Sequence, residues 1–268
     1  TAILLGTGTS ITQAAMRMFA SAGVLVGFCG GGGTPLFAGS DIEWFTPQSE
    51  YRPTEYIQGW LSFWFDDAKR LAVAKQFQLT RLEFIRTVWE NDRDLKTEGF
   101  NKDAQDITQA LSSFEKKIPL MQKVGDLLLE EATVTRQLYK IAAIRCDARG
   151  FVRAPEQGDL ANRFLNHGNY LAYGLAATTL WVLGIPHGFA VMHGKTRRGA
   201  LVFDVADLIK DAIVLPWAFI CAKEKMKEQE FRQQILQKFT EHKALDFMFD
   251  SVKKQALQPL SINSGGVA

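Results

Sequence analysis

The sequence predicts a mainly α-helical protein with a small β part at its N-terminal end. The β part is indicated by two short apolar runs, residues 2–5 and 24–28, each followed by a glycine-containing turn. The helical part begins near residue 54, after which apolar side chains recur at helical spacing with few breakers. With 268 residues, 47% of them hydrophobic, the chain is long enough to bury a sizeable core.

Residues 1–40 are predicted to run strand, helix, strand and turn. Ser10 is the candidate cap of a helix that starts near Ala14, and the glycines at 30–33 are predicted to form the turn. Thr1 is not a start residue and opens directly on an apolar run. We therefore expect the chain to begin inside a strand, with further sequence upstream of it.

The rest of the chain is predicted to consist mostly of helices. The helical segments are residues 54–89, 119–144, 160–183, a segment from 204, and 222–258. Asp159 and Asp204 are predicted to cap the helices that follow them, and Pro216 to bend the second of these. The tail from Gln258 onward is predicted to be loop or disordered.

Composition and charge narrow the class of protein. The net charge of +2 is too small to indicate nucleic-acid binding by itself, so any basic surface has to be local. The three cysteines lie far apart without zinc-site spacing, which favours a reducing cytoplasm. Since no apolar stretch is long enough to span a bilayer and no signal peptide is recognisable, we expect a cytoplasmic protein that does not act in a membrane.

Potential metal ligands stand beside basic residues in the segment 193–207. His193 follows one apolar run, and Asp204 and Asp207 follow another. The cations between them are Lys195, Arg197 and Arg198. Metal-assisted chemistry on a phosphate diester needs this mix, because a metal offsets developing negative charge while cations hold the polyanion. Two simpler interpretations remain open: His193 as a hydrogen-bonded core residue, and the aspartates as a helix cap with its reciprocal partner.

A further candidate, Glu131, lies on the helix predicted after Pro119. One face of that helix comprises Val124, Leu128, Glu131, Thr135, Leu138 and Ala142. Glu131 therefore lies in the middle of a mostly apolar face, whereas Glu130 lies on the side with Lys123 and Gln137. A carboxylate on a buried face needs a metal or a charged partner. It is therefore either a metal ligand or a core glutamate paired with an arginine.

The helix predicted after Asp159 is apolar nearly all round except for one polar stripe. The stripe consists of Asn162, Asn166, Asn169 and Tyr173, at positions i, i+4, i+7 and i+11. Such a stripe either hydrogen-bonds neighbouring helices or lines a cleft, and both interpretations remain open. Arg163 on the same helix is a candidate extension of the basic surface.

Two nucleotide-binding motifs are incomplete in this chain. Residues 194–196 look like the end of a P-loop, but the glycine required five residues earlier is replaced by Phe189. Gly6 and Gly8 follow a predicted strand, but Ile11 occupies the third glycine position of a dinucleotide fingerprint. We therefore do not expect nucleotide binding through either motif.

As a set, the site motifs resemble the CRISPR adaptation integrase family, the first-numbered of the Cas proteins, and its subtype I-F branch in particular. The matching stretches are residues 131–139, 162–174 and 193–211, in the same order and spacing. The resemblance implies a truncated N-terminal β domain, residues 1–46, followed by an all-helical catalytic domain, residues 47–268. It also implies a homodimer, which family members form through the β domain.

The resemblance also implies roles for the candidate residues. Glu131, His193 and Asp207 are implied to be catalytic and to bind Mg²⁺ or Mn²⁺, with Asp204 as a supporting acidic residue. Ala132 stands where the family often has glycine. The residues expected around the ligands are Asn162, Asn166 and Tyr173. The residues expected to grip the phosphates of double-stranded DNA are Lys195, Arg197, Arg198 and Arg163.

The implied reaction is the insertion of new spacer DNA into the repeat array by attack of a 3′-hydroxyl on a phosphodiester. Two alternatives remain open from the residues: a structure-selective endonuclease that acts hydrolytically, and a non-catalytic DNA-binding scaffold. The implied partner is the second Cas protein, a small ferredoxin-like dimer that is fused to the helicase-nuclease in this subtype. The helices between residues 222 and 254 are a candidate docking surface for it.

Overall fold

The computed structural model describes residues 2–30, 43–45, 53–154, 158–194 and 199–263. Strands β1 (Ala2–Leu5) and β2 (Leu25–Phe28) pair in parallel, and helix α1 (Gln13–Ser21) connects them. Strand β3 (Glu43–Phe45) pairs with the other side of β2 in antiparallel register. The predicted order of strand, helix and strand is therefore confirmed. Of the glycines predicted to form the following turn, residues 31–33 lie outside the described residues.

Two helix starts differ from the prediction because other side chains supply the cap. Helix α1 is capped by Thr12 rather than Ser10, since the Thr12 hydroxyl accepts a hydrogen bond from the N–H of Ala15 at 3.2 Å. The segment predicted to be one helix from residue 54 is broken at Asp66, whose carboxylate accepts two backbone N–H groups of the following turn. Because this cap starts a new helix, the segment forms two helices.

The helical part contains ten α-helices among the described residues. The first five are α2 (Glu55–Trp64), α3 (Asp67–Asn91), α4 (Arg93–Thr97), α5 (Gln105–Lys117) and α6 (Val124–Arg145). The others are α7 (Leu160–Val182), α8 (Ala200–Ile209), α9 (Leu215–Lys223), α10 (Glu228–Glu241) and α11 (Ala244–Asn263). Asp159 caps α7 as predicted, by accepting the N–H of Asn162 at 2.9 Å. The loop predicted from Gln258 is wrong up to Asn263, where α11 ends.

Asp204 does not cap a helix, which corrects the prediction. Helix α8 starts earlier, after Gly199, whose φ of +66° lies in the left-handed region that favours glycine. Asp204 therefore lies inside α8, where it is 4% exposed, and Asp207 is buried one turn further on. The sequence pattern of a capping box is misleading here because both carboxylates contact the protein interior.

The backbone departs from α-helical geometry after α8, just before Pro216. Residues Lys210–Val214 form a π-helical turn, in which the N–H of Leu215 donates to a carbonyl five residues earlier. Pro216 follows in the first turn of α9, where its missing N–H is tolerated. Trp89 on α3 supports the turn, since its Nε1–H donates to the carbonyl of Ala212 at 2.9 Å. Such turns within α-helices frequently mark functional sites.

The segment from α8 to α9 forms the centre of the fold. Residues 200–221 are buried except for Phe203 and Lys210, which are partly exposed. Helices α3 and α7 both pack against this segment. The approach of α7 depends on Gly168, because a Cβ there would lie 2.4 Å from Cγ1 of Val214. The three aspartates on the central segment are therefore surrounded by protein.

Two tryptophans of α2 hold the loop that precedes α8. The Nε1–H of Trp60 donates to the carbonyl of Phe189 at 3.0 Å, and that of Trp64 donates to the carbonyl of Ala190 at 2.8 Å. Helix α2 in turn packs along α11. The loop that ends at His193 is therefore fixed to the helical body on both sides.

No helix in the described part of the chain combines the length and the hydropathy needed to cross a bilayer. Cys29, Cys146 and Cys221 are buried, and within the described residues none of them forms a disulfide. Burial raises the pKa of the Cys146 and Cys221 thiols to about 12. These thiols are therefore poor nucleophiles at neutral pH, and their position in the core favours a packing role.

We expect Gly59→Ala to destabilise the protein, because α2 and α11 meet at this glycine. A Cβ there would lie 1.8 Å from the carbonyl oxygen of Ala256, and this oxygen belongs to the backbone. The expected loss is about 3 kcal/mol in the free energy of unfolding, measured by denaturant titration. Gly125→Ala in α6 is the matched control, since a Cβ there meets nothing within 4 Å. Equal stabilities of the two variants would contradict the close contact.

Candidate active site

Asp204 fixes the loop that carries His193. Its Oδ2 accepts hydrogen bonds from the backbone N–H groups of Val191 at 2.7 Å and Met192 at 3.0 Å. Its Oδ1 accepts the N–H of His193 at 3.1 Å and lies 2.7 Å from Nδ1 of the same residue. One buried carboxylate therefore satisfies three loop amides and orients the imidazole.

The contact with Asp204 also determines what the other ring nitrogen of His193 can do. When Nδ1 donates its proton to Asp204, Nε2 of the neutral ring carries a lone pair. Nε2 lies 3.6 Å from Oδ2 of Asp207. Burial alone would lower the pKa of His193, but the hydrogen bond to Asp204 and the charge of Asp207 raise it above its ordinary value. The pair of Nε2 and Asp207 is thus a potential metal-binding edge.

Asp207 is paired with Lys210, one turn further along the same helix. The Lys210 ammonium contacts Oδ1 of Asp207, and the Asp207 side chain is only 6% exposed. Burial alone would raise the pKa of this carboxyl, but the positive charge of Lys210 and of neighbouring side chains lowers it below its ordinary value. Asp207 is therefore ionised at neutral pH, as a metal ligand has to be.

Glu131 enters the site from α6. Its Oε1 accepts a hydrogen bond from Arg81 at 2.7 Å and another from the Thr135 hydroxyl at 3.0 Å. The neighbouring Glu130 pairs instead with Lys117 at 2.9 Å, closer to the surface. The arginine partner considered for Glu131 is therefore present. It leaves the metal interpretation open, because the same carboxylate also borders a cavity.

Arg81 connects three parts of the site. Its Nε donates to Asp211 at 3.0 Å and its guanidinium also donates to Oε1 of Gln78 at 3.1 Å. Gln78 in turn contacts the sulfur of Met192 at 3.1 Å, beside His193. Burial alone would lower the pKa of Arg81, but the charges of Asp211 and Glu131 raise it, so the guanidinium stays charged. Arg81, Asp211 and Lys210 were not predicted as site residues from the sequence.

Glu131 and Asp207 share the walls of a small cavity of about 40 Å³, together with Asn169 and Lys210. This volume holds roughly one water molecule or ion. In the described residues, the ligand atoms of Glu131, His193 and Asp207 do not all lie within 4.8 Å of one another. The donor set of two carboxylates and an imidazole suits Mg²⁺ or Mn²⁺, but two of these groups are paired with cations as the structure stands.

Another group of potential ligands, Asp92, Glu241 and His242, does converge within 4.8 Å in the described part of the chain. Lys238 already occupies it, with its Nζ 3.1 Å from Asp92, 3.0 Å from Glu241 and 2.9 Å from Asp94. Burial would raise the pKa of Asp92, but hydrogen bonds from His242, the backbone and Lys238 lower it to about 2. We interpret this group as an ion-pair network that joins α10 to α4.

The N-terminal half of the asparagine stripe hydrogen-bonds a neighbouring segment. Oδ1 of Asn162 accepts from Arg153 at 3.0 Å and from the N–H of Ala154 at 2.8 Å. Oδ1 of Asn166 accepts from the same Arg153 at 2.6 Å. Asn162 and Asn166 thus anchor the chain before α7 through Arg153.

The other half of the stripe reaches the site. Asn169 lines the small cavity, and the ring of Tyr173 lies 5.4 Å from the ammonium of Lys210. The N-terminal half of the stripe therefore hydrogen-bonds a neighbouring segment, and the other half reaches the cavity.

Arg163 is exposed on α7. The basic residues Lys195, Arg197 and Arg198 lie outside the described residues.

A larger groove of about 660 Å³ shares the lining residue Tyr139 with the small cavity. Its cationic side chains are Arg136, Lys140, Arg149 and Arg153. Apolar side chains such as Ile144 and Phe151 line it as well. This groove was not predicted from the sequence, because its residues come from α6 and from the loop that follows it.

Comparison with known proteins identifies a family. A family profile described as "CRISPR associated protein Cas1" matches residues 1–246. A CRISPR-associated endonuclease Cas1 of Pseudomonas aeruginosa is 57% identical over 262 residues, which cover 96% of this chain and 81% of the relative. A CRISPR-associated endonuclease Cas1 of Pectobacterium atrosepticum is 56% identical over 260 residues, which cover 95% of this chain and 80% of the relative. The family resemblance of the motifs is thereby confirmed.

Solved structures agree with the fold. A CAS1 protein from Thermotoga maritima has a TM-score of 0.70 at 14% identity and covers 97% of this chain and 85% of its own. A casposase bound to an integration product has a TM-score of 0.60 at 16% identity, over 97% of this chain and 83% of its own. At these identities the likeness establishes the fold, and it confirms the prediction of a mainly helical protein with a small β part.

We expect Asp204→Asn to change the tautomer of His193. The carboxamide oxygen can still accept loop amides, but its NH₂ group would face Nδ1 and favour a proton on Nε2. Long-range ¹H–¹⁵N NMR of the neutral histidines should show Nδ1–H in the unmutated protein and Nε2–H in the variant. His242, which contacts Asp92 through Nε2 at 2.9 Å, serves as the internal control. The same tautomer in both proteins would contradict the orienting role of Asp204.

Proposed function

The chain belongs to the Cas1 family of CRISPR-associated proteins, and from this premise we propose that it is a divalent-metal-dependent DNA integrase of CRISPR adaptation. The observation that carries the proposal is the convergence of Glu131 and Asp207 on one buried cavity, with Nε2 of His193 directed at Asp207. The casposase relative supports strand transfer, since its structure contains an integration product. The Cas1 relatives named as endonucleases support phosphodiester chemistry more generally.

In the proposed reaction, the 3′-hydroxyl oxygen of an incoming DNA fragment attacks a phosphorus of the repeat array. One P–O bond forms and one breaks, so the number of phosphodiester bonds is conserved. The proton of the attacking hydroxyl ends on the 3′-oxygen that leaves. No oxidant or nucleotide is consumed, and the catalytic requirement is to stabilise charge on the phosphorane and to align the attacking oxygen, the phosphorus and the leaving oxygen.

Glu131, His193 and Asp207 are proposed to hold Mg²⁺ or Mn²⁺ on the cavity side of the site. Bound there, the ion would supply charge neutralisation at the phosphate and a lower pKa for the attacking hydroxyl. The donor set fits, because Asp204 leaves the lone pair of Nε2 available and Asp207 is ionised. Arg81 keeps Glu131 oriented through a 2.7 Å hydrogen bond. Only three protein ligands leave positions for DNA oxygens.

DNA binding is proposed to combine two cationic surfaces. The first is the segment with Lys195, Arg197 and Arg198, which follows directly on His193 in the chain. The second is the groove lined by Arg136, Lys140, Arg149 and Arg153, which shares Tyr139 with the cavity. Cations there would hold backbone phosphates, and apolar groove residues would suit unstacked bases. Arg163 would extend the surface. Asn162 and Asn166 hold Arg153 through hydrogen bonds, and the ring of Tyr173 lies beside Lys210.

The partner of the chain is proposed to be the second Cas protein, fused to the helicase-nuclease as in the subtype I-F branch. A chain of a structure named as a partial Cas6-RT-Cas1–Cas2 complex has a TM-score of 0.68 and covers 99% of this chain at 13% identity.

We also propose that the protein forms a homodimer and that it divides into two domains, residues 1–46 and residues 47–268. Helices α10 and α11 remain the proposed docking surface, although Phe231 and Val252 lie in the core and deletion would unfold the protein.

We expect the protein to rejoin a branched DNA that mimics a half-integrated spacer, in a disintegration assay with Mn²⁺. EDTA should abolish the reaction. Glu131→Ala should lower the rate at least roughly 100-fold, the range seen when one charge-stabilising group is lost. Glu130→Ala is the matched control and should retain activity, because Glu130 pairs with Lys117 outside the cavity.

The products of the same assay separate the candidate functions. Rejoined strands indicate transesterification. Cut ends without rejoining would indicate the hydrolytic endonuclease instead. Equal loss in Glu130→Ala and Glu131→Ala would point to a folding defect of α6, which circular dichroism would detect. No reaction, together with DNA binding that persists in EDTA, would favour the scaffold.

The basic segment leads to a prediction about salt dependence. Replacing Lys195, Arg197 and Arg198 by alanine should reduce the slope of log affinity against log salt by roughly 2–3, because each lost phosphate contact removes about 0.9. Fluorescence anisotropy with labelled duplex DNA at several salt concentrations would measure this slope. A charge-matched control replaces the exposed Lys96, Lys225 and Lys254. An equal change of slope in the control would show a general charge effect rather than local contacts.

A further inference from the structure

The proposed metal ligand Asp207 already carries a cation. Its Oδ1 pairs with the ammonium of Lys210, while its Oδ2 lies 3.6 Å from Nε2 of His193. The side chain of Asp207 is 6% exposed, so water contributes little to neutralising it. Lys210 therefore supplies the compensating charge that a buried carboxylate requires.

The cation next to Glu131 is held much more firmly. Arg81 donates to Asp211 at 3.0 Å, to Gln78 at 3.1 Å and to Thr135 at 2.8 Å, in addition to Glu131. A planar guanidinium with this many partners has a fixed orientation. Removing it from Glu131 would break several other hydrogen bonds at once. Arg81 is therefore a permanent part of the site.

Lys210 is bound in a way that allows it to move. Besides its contact with Asp207, the ammonium lies 5.4 Å from the centre of the Tyr173 ring. The ammonium is carried on a flexible four-carbon stem, and its side chain is 20% exposed. Lys210 also borders the small cavity that Glu131 and Asp207 share. It can therefore leave the carboxylate without disturbing the hydrogen bonds of Arg81.

A divalent ion on Asp207 would repel the Lys210 ammonium, because like charges repel strongly where water is excluded. Lys210 can respond by moving away, whereas Arg81 is held on Glu131 by its other hydrogen bonds. We propose that Lys210 is a built-in placeholder for the metal, balancing Asp207 until a divalent ion binds and then being displaced from it. The inference rests on the proposed function, since it requires a metal at Glu131, His193 and Asp207. It follows that the Lys210–Asp207 pair stabilises the metal-free protein and weakens its affinity for metal.

Lys210→Met tests the proposal, because methionine keeps the length of the stem and removes the charge. Titration calorimetry with MnCl₂ should show binding roughly tenfold tighter than in the unmutated protein, since the competitor is gone. In EDTA, the same variant should unfold at a lower temperature. Lys223→Met is the matched control, because Lys223 pairs with Glu98 at 3.0 Å on the surface. It should bind Mn²⁺ like the unmutated protein.

The outcomes distinguish this inference from the proposed function. If Lys210→Met bound Mn²⁺ no more tightly than the unmutated protein, the placeholder role would be overturned. Lys210 would then be a structural lysine. Mn²⁺ that binds neither protein would overturn both the metal-dependent function and the placeholder. Binding that Glu131→Ala does not weaken would locate the metal elsewhere and likewise overturn it.

A measurement on the unmutated protein covers the case in which Lys210→Met does not fold. Amine labelling followed by mass spectrometry reports the accessibility of individual lysines. The labelling rate of Lys210 should rise several-fold when MnCl₂ is added, because the ammonium is released from Asp207. Lys223 should label at the same rate with and without the ion. An unchanged or slower rate at Lys210 would overturn the proposal.

Discussion

The burial of three aspartates on one nearly fully buried helical segment is the constraint on which the site depends. Asp204, Asp207 and Asp211 are each 5% exposed or less. A buried carboxylate is tolerated only with compensating hydrogen bonds or charge. Loop amides and His193 compensate Asp204, Lys210 compensates Asp207, and Arg81 compensates Asp211. The compensation of Asp204 draws the His193 loop, and that of Asp211 draws α3, towards the central segment, so neutralising these charges also assembles the site.

The π-helical turn explains how two of these carboxylates serve different partners. Asp207 lies just before the turn and Asp211 inside it. The turn adds a residue to the local repeat, so positions on its two sides are offset from an ordinary α-helical face. Asp211 contacts Arg81 while Asp207 contacts Lys210 and approaches His193. Trp89 stabilises this geometry through a carbonyl of the turn.

Local patterns in the sequence predicted the helical fold and the face of α6 on which Glu131 lies, because both depend on spacing within one element. They misassigned Asp204, since a capping box and a buried acidic pair look alike over four residues. They missed Arg81, whose partners Glu131 and Asp211 are 50 and 130 residues away. The available signal was its charge on a mostly apolar face of α3, but a single sequence does not reveal the partner.

The tethering of the His193 loop gives the C-terminal helix an influence over chemistry that takes place far from it in the sequence. Helix α11 lies against α2 at Gly59, and α2 holds the loop carbonyls through Trp60 and Trp64. A fusion, tag or partner that displaces α11 would therefore shift the imidazole through two rigid contacts. Such a connection would let assembly at the end of the chain adjust the ligand geometry while every catalytic side chain stays unchanged.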